Sequence, residues 1–234
     1  MDRDWKHDVI RSCFLFSGAD PATLDRMVGA CFLHRYRKGE TLFLMGDPAN
    51  GLHILRTGLV RIWIADDAGK ELTLTLLEPG DTLGEIALLD GLPRSANATA
   101  LEGGESLFLP RDSVEAAMAE EPKFSRHVIQ LLCEMLRRNT DTIGAFAFSN
   151  LDMRLARTLA DLATAHGSGS NGTVRLTRKF SQTDLAQMLG VTREAVNKRL
   201  MAMAHDGALR LEDGYIVMTD MAAIRARADT RTAR

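Results

Sequence analysis

The amino-acid sequence predicts an α+β chain in which a β-rich N-terminal half, one long helix and a helical C-terminal half follow one another. Three observations support this fold class. Short β-forming runs separated by turn residues fill residues 36–110, a heptad spacing continues from Pro122 to Phe148, and two short helical patterns precede a hairpin within residues 181–217. The 234 residues, 45% of them hydrophobic, are enough to fill the cores of two domains. The expected limits are 1–121 for the first domain, 122–149 for the long helix and 150–234 for the second domain.

The first domain is expected to be a β-roll framed by helices. A helix is predicted over Pro21–Ala30, because Asp20 followed by Pro21 is a typical helix start. Glycines such as Gly58 and Gly80 can adopt the turn conformations that a roll needs between its strands. The predicted strands are Thr41–Met45, His53–Arg56, Leu59–Ile64, Glu71–Leu77 and Glu105–Leu109.

The long helix over Pro122–Phe148 carries residues spaced alternately by four and three positions. This seam consists of Val128, Leu132, Met135, Asn139, Thr142 and Phe146. Such a heptad seam on an exposed helix usually buries itself against a second copy, so it predicts a parallel homodimer. Packing of the helix against its own β-roll is the alternative.

The second domain is expected to begin after a hinge near residues 148–151. An amphipathic helix is predicted over Leu151–Ala165. The run His166–Thr173, HGSGSNGT, is rich in glycine and serine and lacks apolar residues, so it predicts a flexible surface loop.

Residues 181–204, SQTDLAQMLGVTREAVNKRLMAMA, predict two short helices around a tight turn. Ser181 and Thr192 are N-cap candidates, and Gly190 permits the turn. The inward faces are formed by Leu185, Ala186, Met188 and Leu189 on the first helix and by Val196, Leu200 and Met203 on the second. The outward face carries Arg193, Glu194, Asn197 and Lys198.

This outward face has the chemistry of a helix that reads bases. Arginine bonds guanine through two donors and glutamate accepts from cytosine, each contact contributing about 1–3 kcal/mol of discrimination. A helical hairpin whose charges are only solvated is the alternative. The run Leu209–Val217 around Asp213-Gly214 predicts a following β-hairpin, which favours a winged helix-turn-helix.

Charge divides unevenly along the chain although the net charge is only −2. Residues 151–234 carry 13 Lys and Arg against 9 Asp and Glu, whereas residues 1–150 carry 16 against 22. The net charges of +4 and −6 hint at a polyanion partner for the second domain.

Composition also argues against several classes of protein. No stretch of about 18 uncharged apolar residues could span a bilayer, and the N-terminus is charged where a signal peptide would be apolar, so a cytoplasmic protein without a membrane partner is expected. Cys13, Cys31 and Cys133 are too far apart for a disulfide framework or a metal ligand set, and buried reduced thiols are expected. Neither a metal ion nor haem is predicted.

The run Leu83–Ala96, LGEIALLDGLPRSA, combines a glycine turn, a carboxylate and an arginine within a few positions. A buried arginine can hold a phosphate through two charge-assisted hydrogen bonds, and an ionised glutamate accepts from ribose hydroxyls. Small residues such as Gly84 and Ala87 let backbone N–H groups approach an anion. The run therefore predicts a receptor for a ribose phosphate.

The same run resembles the phosphate-binding cassette of cyclic-nucleotide-binding domains, with Gly84-Glu85 at one end and Arg94-Ser95 at the other. The resemblance implies that Glu85 bonds the ribose 2′-hydroxyl. It also implies that Arg94, Ser95 and backbone amides near Ile86 and Ala87 hold the cyclic phosphate. A roll that keeps this cassette only for packing is the alternative.

Nearly the whole chain resembles the superfamily of bacterial transcription factors that contains the cyclic-AMP receptor protein and the fumarate-nitrate reduction regulator. The resemblance implies that Arg193, Glu194 and Lys198 occupy the base-reading positions, with lysine in place of an arginine at the last of them. The remaining residues implied on the DNA side are Arg178, Lys179, Ser181, Thr192, Asn197 and Arg199, with Arg178, Lys179 and Arg199 assigned to phosphates. Double-stranded DNA, a second copy of the chain and RNA polymerase are the implied partners.

The resemblance also implies that three positions of the long helix lie near the base of the nucleotide. Arg137 aligns with a helix arginine of the family, and Asp141 and Thr142 align with two adenine-contacting hydroxyl residues. Asp141 departs from that pattern. A carboxylate only accepts hydrogen bonds, and guanine offers it the two adjacent donors N1–H and N2–H, so cyclic GMP is favoured. Cyclic AMP, or a response to both, is the alternative.

A ligand-gated DNA-binding regulator that is not an enzyme is the function expected. A cyclic-nucleotide phosphodiesterase is a remote alternative, because the cassette offers binding groups but no metal cluster or base beside a water. A regulator of the same fold with a vestigial pocket is the other alternative. The C-terminal arginines 225, 227, 231 and 234 are expected to belong to a frayed tail rather than to a DNA-binding arm.

Overall fold

The computed structural model describes residues 4–170 and 172–229. Its contacts divide the chain into two compact units, residues 1–137 and 138–234, and the boundary falls within the long helix. This boundary lies before the predicted hinge at residues 148–151. The Arg154 guanidinium lies 3.9 Å from the ring centroid of Phe146.

The first unit starts with two helices, α1 (Asp4–Ser12) and α2 (Pro21–Ala30), separated by a 3-10 turn at Phe14–Phe16. The predicted bounds of α2 are confirmed, and its start has the expected chemistry. Asp20 Oδ1 accepts a hydrogen bond from Thr23 N at 2.7 Å, and Pro21 occupies the first helical turn. Helix α1 was not predicted from the sequence.

A six-stranded antiparallel sheet forms the β-roll. Its main path follows the order β1-β6-β3-β4, and β2 and β5 pair with β6 and β3. The strands are β1 (Phe32–Tyr36), β2 (Thr41–Phe43), β3 (Gly51–Ala65), β4 (Glu71–Leu77), β5 (Thr82–Leu83) and β6 (Asn97–Pro110). The roll and the bounds of β4 are confirmed.

Two of the predicted strands are one strand in the structure. The prediction of a turn at Gly58 is wrong, because β3 passes through it, and the register to β6 shifts around Thr57 and Leu59. Gly58 has φ of 93°, and a Cβ atom there would lie 3.0 Å from the Tyr36 hydroxyl. The glycine therefore forms a bulge within a long strand. The predicted strand Glu105–Leu109 is likewise only the end of β6.

The roll has apolar residues on both faces of β3. Leu52 and Ile54 pack with a cluster that includes Phe16 and Phe124 from the helices. Leu55 packs with the interior cluster of the roll. After the sheet come α4 (Arg111–Glu120) and α5 (Pro122–Phe148), and the short helix α3 (Glu85–Asp90) lies between β5 and β6.

Helix α5 has the predicted bounds, but the predicted heptad seam divides into two parts. Val128 is buried, and Leu132 and Met135 pack against the core of the first unit, so the alternative of packing on the chain's own domain holds for this part. Asn139 and Thr142 are exposed. Sequence spacing revealed the period but not which stripe the roll covers.

A different stripe of α5 is exposed and apolar. Ile129, Leu136 and Ile143 are 59%, 65% and 68% exposed and lie seven residues apart. Cys133 is exposed between the first two, which corrects the expectation that all three cysteines are buried. The stripe is displaced by one residue from the predicted seam.

The second unit contains a four-stranded antiparallel sheet in the order β7-β8-β10-β9 and helices around it. Its core consists of buried residues such as Leu155, Leu159, Leu185, Val196 and Ile224. The elements are α6 (Leu151–His166), β7 (Gly167–Ser170), β8 (Thr173–Leu176), α7 (Gln182–Leu189), α8 (Arg193–His205), β9 (Leu209–Glu212), β10 (Tyr215–Met218) and α9 (Met221–Asp229).

The prediction of a flexible loop over His166–Thr173 is wrong, because strands β7 and β8 pair there. The glycines serve close backbone approach instead of flexibility. A Cβ atom at Gly167 would overlap the carbonyl of Ala163, and one at Gly169 would overlap the carbonyl of Thr173.

The predicted arginine-rich tail is only partly described. Arg225 and Arg227 lie on α9, where Arg227 pairs with Asp206 at 2.7 Å, so this part is an ordered helix. Arg231 and Arg234 lie outside the described residues. Within residues 4–170 and 172–229 no helix has the length and apolar character needed to cross a membrane. The same residues contain no group of three metal-ligating side chains.

Candidate functional site

The cassette begins at Gly84, which is the N-cap of α3 and has φ of 92°. A Cβ atom there would overlap the guanidinium of Arg94. Only glycine fits, because the backbone is left-handed and the arginine lies against it. Gly91, with φ of 74°, ends the helix at its other side.

Arg94 is 5% exposed and is held by backbone carbonyls. Its Nη1 donates to Gly84 O at 2.9 Å and its Nη2 donates to Gly51 O at 2.8 Å. The guanidinium also lies 4.3 Å from the ring centroid of Phe43. Burial lowers the pKa of Arg94, opposed by the nearby carboxylate of Glu85.

Two polar atoms of the cassette are buried without a hydrogen-bond partner among the residues that the structure describes. They are Glu85 Oε2 and Arg94 Nε, one acceptor and one donor. Burial raises the pKa of Glu85, and its own backbone N–H and Arg94 only partly offset this effect. Because unsatisfied buried polar atoms are costly, this pair fits a ligand that supplies both a donor and an anionic acceptor.

Of the remaining predicted cassette residues, two lie in the first turn of α3 and one lies in the segment after the helix. The first intrahelical bond runs from Leu88 N to Gly84 O at 3.2 Å, so the amides of Ile86 and Ala87 belong to the first turn. Ala87 is buried, and Ile86 is 42% exposed. Ser95 is exposed next to Arg94.

A second arginine, Arg111, fixes the far end of α3. Its Nη1 donates to Leu88 O at 3.0 Å, and its Nη2 donates to Ala87 O at 2.8 Å and to Ala49 O at 2.9 Å. Arg111 N also donates to Asn50 O at 2.9 Å. The arginine therefore joins α3 to the segment that ends in Gly51, the acceptor of Arg94.

Sequence reasoning missed Phe43, Gly51 and Arg111. Gly51 contributes through its backbone carbonyl, which every residue possesses, so its residue type does not reveal the role. Arg111 donates from its side chain, and only the fold brings its carbonyl acceptors within reach. Phe43 is an ordinary strand residue until the fold places it beside Arg94.

The three residues predicted to address the base lie on α5. Arg137, Asp141 and Thr142 are exposed, and Thr142 Oγ1 donates to Arg138 O of its own helix at 2.9 Å. The boundary between the two units falls between Arg137 and Arg138. The contact of Arg137, Asp141 and Thr142 with a nucleotide therefore stays a prediction.

The helix-turn-helix is capped as predicted. Ser181 Oγ accepts from Asp184 N at 3.1 Å while Ser181 N donates to Asp184 Oδ2 at 2.7 Å, which completes a capping box. Gly190 is left-handed with φ of 63°, and Thr192 Oγ1 accepts from Ala195 N at 3.3 Å. The two caps and the turn are thereby confirmed.

The outward face of α8 is also confirmed. Arg193, Glu194, Asn197 and Lys198 are exposed, and Val196, Leu200 and Met203 are buried beneath them. On α7, Leu185, Ala186 and Leu189 are buried as predicted, whereas Met188 is only half-buried. The division between the core face and the outward face follows the helical period.

Helix α6 supports the motif from behind. Arg199, which was assigned to phosphate, pairs with Asp152 at 3.3 Å and is half-buried. Arg154 Nη2 donates to Leu189 O at the end of α7. These contacts fix the turn against the start of α6.

The wing is the hairpin of β9 and β10, as predicted. Its turn has φ of 50° at Asp213 and 82° at Gly214, the pattern of a type I′ turn. Lys179 Nζ and the Arg175 guanidinium lie 4.9 Å and 4.3 Å from the ring centroid of Tyr215. The sequence indicated Lys179 but not Arg175, which lies on β8, a strand that was not predicted.

A β-roll with a buried arginine and a half-buried glutamate, joined to a winged helix-turn-helix with a polar outward helix, defines a ligand-responsive DNA-binding regulator. Comparison with protein families agrees with this class. Residues 33–121 match the cyclic nucleotide-binding domain, and residues 153–227 match the Crp-like helix-turn-helix domain.

The relatives cover nearly the full length of the chain. The cyclic AMP receptor protein of Thermus thermophilus is 31% identical over 210 residues, which are 90% of this chain and 94% of that protein. A CRP-like cAMP-activated global transcriptional regulator of Mycobacterium tuberculosis is 29% identical over 221 residues, which are 94% of this chain and 99% of that protein. The chain belongs to the CRP/FNR family of transcription regulators.

Solved structures place the fold in the same family. A CRP/FNR family regulator from Thermus thermophilus superposes with a TM-score of 0.71 at 27% identity, and the match covers 86% of this chain and all of that one. The predicted α+β architecture of β-roll, long helix and winged helix-turn-helix is confirmed.

Proposed function

We propose that this chain is a homodimeric cytoplasmic regulator that binds an inverted-repeat operator in response to a cyclic nucleotide. The observation that carries the proposal is the buried pair of unsatisfied atoms, Glu85 Oε2 and Arg94 Nε, in the cassette. A cyclic nucleotide supplies the missing partners, because its ribose 2′-hydroxyl is a donor and its phosphate is an anionic acceptor.

Each cassette residue then has a defined role. The carboxylate of Glu85 accepts from the ribose hydroxyl, and Arg94 and Ser95 donate to the phosphate. The first-turn amides at Ile86 and Ala87 add backbone donors, and Gly84 admits the close approach. Burial of Arg94 strengthens its contact because water competes little there.

We favour cyclic GMP as the effector. The carboxylate of Asp141 can accept from both guanine donors, whereas adenine offers it one amino group beside an acceptor. In this scheme Thr142 adds a hydroxyl near the base and Arg137 a nearby positive charge. Cyclic AMP is the second candidate, since the relatives at 29–31% identity are named for cyclic AMP.

The homodimer is assigned to the exposed stripe of α5. Ile129, Cys133, Leu136 and Ile143 occupy four of five successive positions that alternate by four and three residues, as in a coiled-coil seam. Thr140 occupies the remaining position, and all five residues are exposed. An exposed apolar stripe of this kind is stabilised when a second copy covers it.

On DNA, the proposed dimer presents two copies of α8 to successive major grooves, about 34–36 Å apart. Arg193, Glu194 and Lys198 read bases, and Arg178, Lys179 and the capped turns at Ser181 and Thr192 contact phosphates. The nucleotide acts by binding more tightly to the dimer state that fits the operator. RNA polymerase is the partner through which such a regulator acts on transcription.

Calorimetry on the full-length protein tests the effector. We expect binding of both nucleotides with cyclic GMP preferred, and we expect Asp141→Thr to reduce the ratio of cyclic GMP to cyclic AMP affinity by about tenfold. An unchanged ratio contradicts the role of Asp141 but not that of the cassette.

Gel shifts with and without each nucleotide test whether DNA binding depends on the nucleotide. Tighter DNA binding with nucleotide is expected, and equal binding without it supports the vestigial-pocket alternative.

Incubation with cyclic GMP followed by chromatography tests the phosphodiesterase alternative, for which GMP would accumulate.

A further inference from the structure

A pair of side-chain amides connects the two helices of the helix-turn-helix. Gln182 Nε2, on the first residue of α7, donates to Asn197 Oδ1 on α8 at 2.9 Å. We propose that this pair reads an adenine of the operator, with Asn197 in contact with the base and Gln182 as its positioning residue. The inference rests on the proposed DNA binding and adds a specificity determinant to it.

The backbone is held in place at both residues of the pair. Gln182 directly follows Ser181, whose capping box with Asp184 fixes the first turn of α7. Asn197 follows Val196, which is fully buried and anchors α8 in the core. The hydrogen bond therefore joins two rigid helices, and it restricts an exposed amide that would otherwise sample several rotamers.

The chemistry of the pair matches adenine. Adenine presents the N7 acceptor and the N6 amino donor in the major groove, and asparagine bonds both through Nδ2 and Oδ1. An amide oxygen has two lone pairs, so Asn197 Oδ1 can accept from Gln182 and from adenine together. The second hydrogen of Gln182 Nε2 is available for a phosphate oxygen, which would couple positioning on the backbone to base readout.

The neighbouring residues of α8 indicate which operator base pair the amide pair would contact. Asn197 lies four residues after Arg193 and three after Glu194, so the three side chains share one face of α8. Arginine selects guanine and glutamate selects cytosine, whereas neither selects adenine. The half-site should therefore contain an A·T pair next to the G·C pairs that Arg193 and Glu194 read.

The test starts from an operator selected out of random DNA by the full-length protein with cyclic nucleotide. Affinities are then measured for operators with each base pair replaced in turn, using wild type, Asn197→Ala, Gln182→Ala and the double variant. We expect Asn197→Ala to reduce discrimination at one A·T pair by about tenfold and to leave the other positions unchanged. Gln182→Ala should reduce discrimination at the same pair, and the double variant should lose no more than Asn197→Ala alone.

Three further variants make the readout specific. Gln182→Glu keeps the size of the side chain but removes its donors, so it should behave like Gln182→Ala. Thr183→Ala, an exposed neighbour on α7, should leave discrimination unchanged. Lys179→Ala should weaken all sequences by a similar factor, as loss of a phosphate contact does.

The outcomes separate the inference from the function beneath it. If wild type selects no sequence with or without nucleotide, the proposed DNA binding fails. If wild type selects an operator but Asn197→Ala keeps every base preference, the adenine contact is overturned. If Asn197→Ala loses a preference that Gln182→Ala retains, Gln182 does not position it.

Discussion

At the residue scale, the cassette holds two opposite charges close together, on the buried Arg94 and the half-buried Glu85. Arg94 donates two hydrogen bonds to carbonyls of its own chain, and among the residues that the structure describes neither Arg94 Nε nor Glu85 Oε2 has a partner. Groups arranged in this way cost folding free energy in the free protein and repay it when a ligand binds. Binding and stability should therefore respond in opposite directions when Glu85 is neutralised.

Replacement Glu85→Gln should weaken cyclic-nucleotide binding by about tenfold or more, because it removes a charge-assisted hydrogen bond. It should also raise the free energy of unfolding at pH 7. Burial raises the pKa of Glu85, so the folded state binds its proton at a higher pH than the unfolded state does. The resulting penalty is complete above the folded pKa and disappears below the unfolded value of about 4.3.

Denaturant unfolding at several pH values between 4 and 7 measures the stability effect. The difference between Glu85→Gln and wild type should shrink as the pH falls. Glu134→Gln, at an exposed position of α5, is the matched control and should show no such trend. Parallel curves for Glu85→Gln and wild type would mean that the buried charge costs nothing.

At the scale of elements, short helices are positioned by groups outside them. Helix α3 has only six residues, too short to be stable alone, and Arg111 bonds two carbonyls at its C-terminal end. Helix α7 has eight residues and depends on its capping box and on its contact with α8. Both helices carry residues of the proposed sites in their first turn.

Substitution Arg111→Ala should lower the free energy of unfolding by about 2–4 kcal/mol, because it leaves several carbonyls without a donor. It should also weaken nucleotide binding, since α3 carries Glu85. Arg26→Ala is the control, as Arg26 forms an exposed pair with Glu120 at 2.7 Å that is worth at most about 1 kcal/mol. Urea unfolding and calorimetry provide the two measurements, and equal losses for both variants would contradict this role.

Loss of the α7 cap in Ser181→Ala should cost about 1 kcal/mol of stability. DNA affinity should fall as well, because the cap fixes the first turn of α7, where Gln182 contacts Asn197 of α8. Thermal unfolding and a binding titration on the selected operator test both effects. Thr183→Ala is the control on the same helix, and a Ser181→Ala protein as stable as this control would show that the cap is dispensable.

At the scale of the whole molecule, α5 presents two apolar stripes, one buried and one exposed. The stripe of α5 through Val128 and Leu131 is buried in the first unit, and the stripe through Ile129, Leu136 and Ile143 is exposed. The exposed stripe gives the proposed dimer a seam that is independent of the first unit's core.

The double substitution Leu136→Lys and Ile143→Lys should convert a dimer to a monomer, because it places like charges opposite each other across the seam. Sedimentation equilibrium measures the mass. Glu134→Lys, outside the stripe, should remain dimeric. Mild oxidation should cross-link wild type through Cys133, and Cys133→Ser should abolish the cross-link. A wild type that sediments as a monomer with and without nucleotide would refute the seam.

The sequence by itself determined the order of the domains, the bounds of α2, β4 and α5, the caps of the helix-turn-helix and the residues of the cassette. These features depend on local chemistry: a proline start, a heptad period, an Asp-Gly turn and an unusual run of residues. Family resemblance added the roles that are proposed for the cassette and for α8.

Only the tertiary structure decided which stripe of α5 is buried, that Gly58 forms a bulge and that His166–Thr173 contains strands. Each of these outcomes depends on what packs against the segment, and residue type and spacing leave that open. The same holds for Gly51, which contributes its backbone carbonyl, and for Arg111, whose side chain donates to carbonyls that are distant in sequence. Gln182 likewise contacts Asn197 only after the two helices fold together.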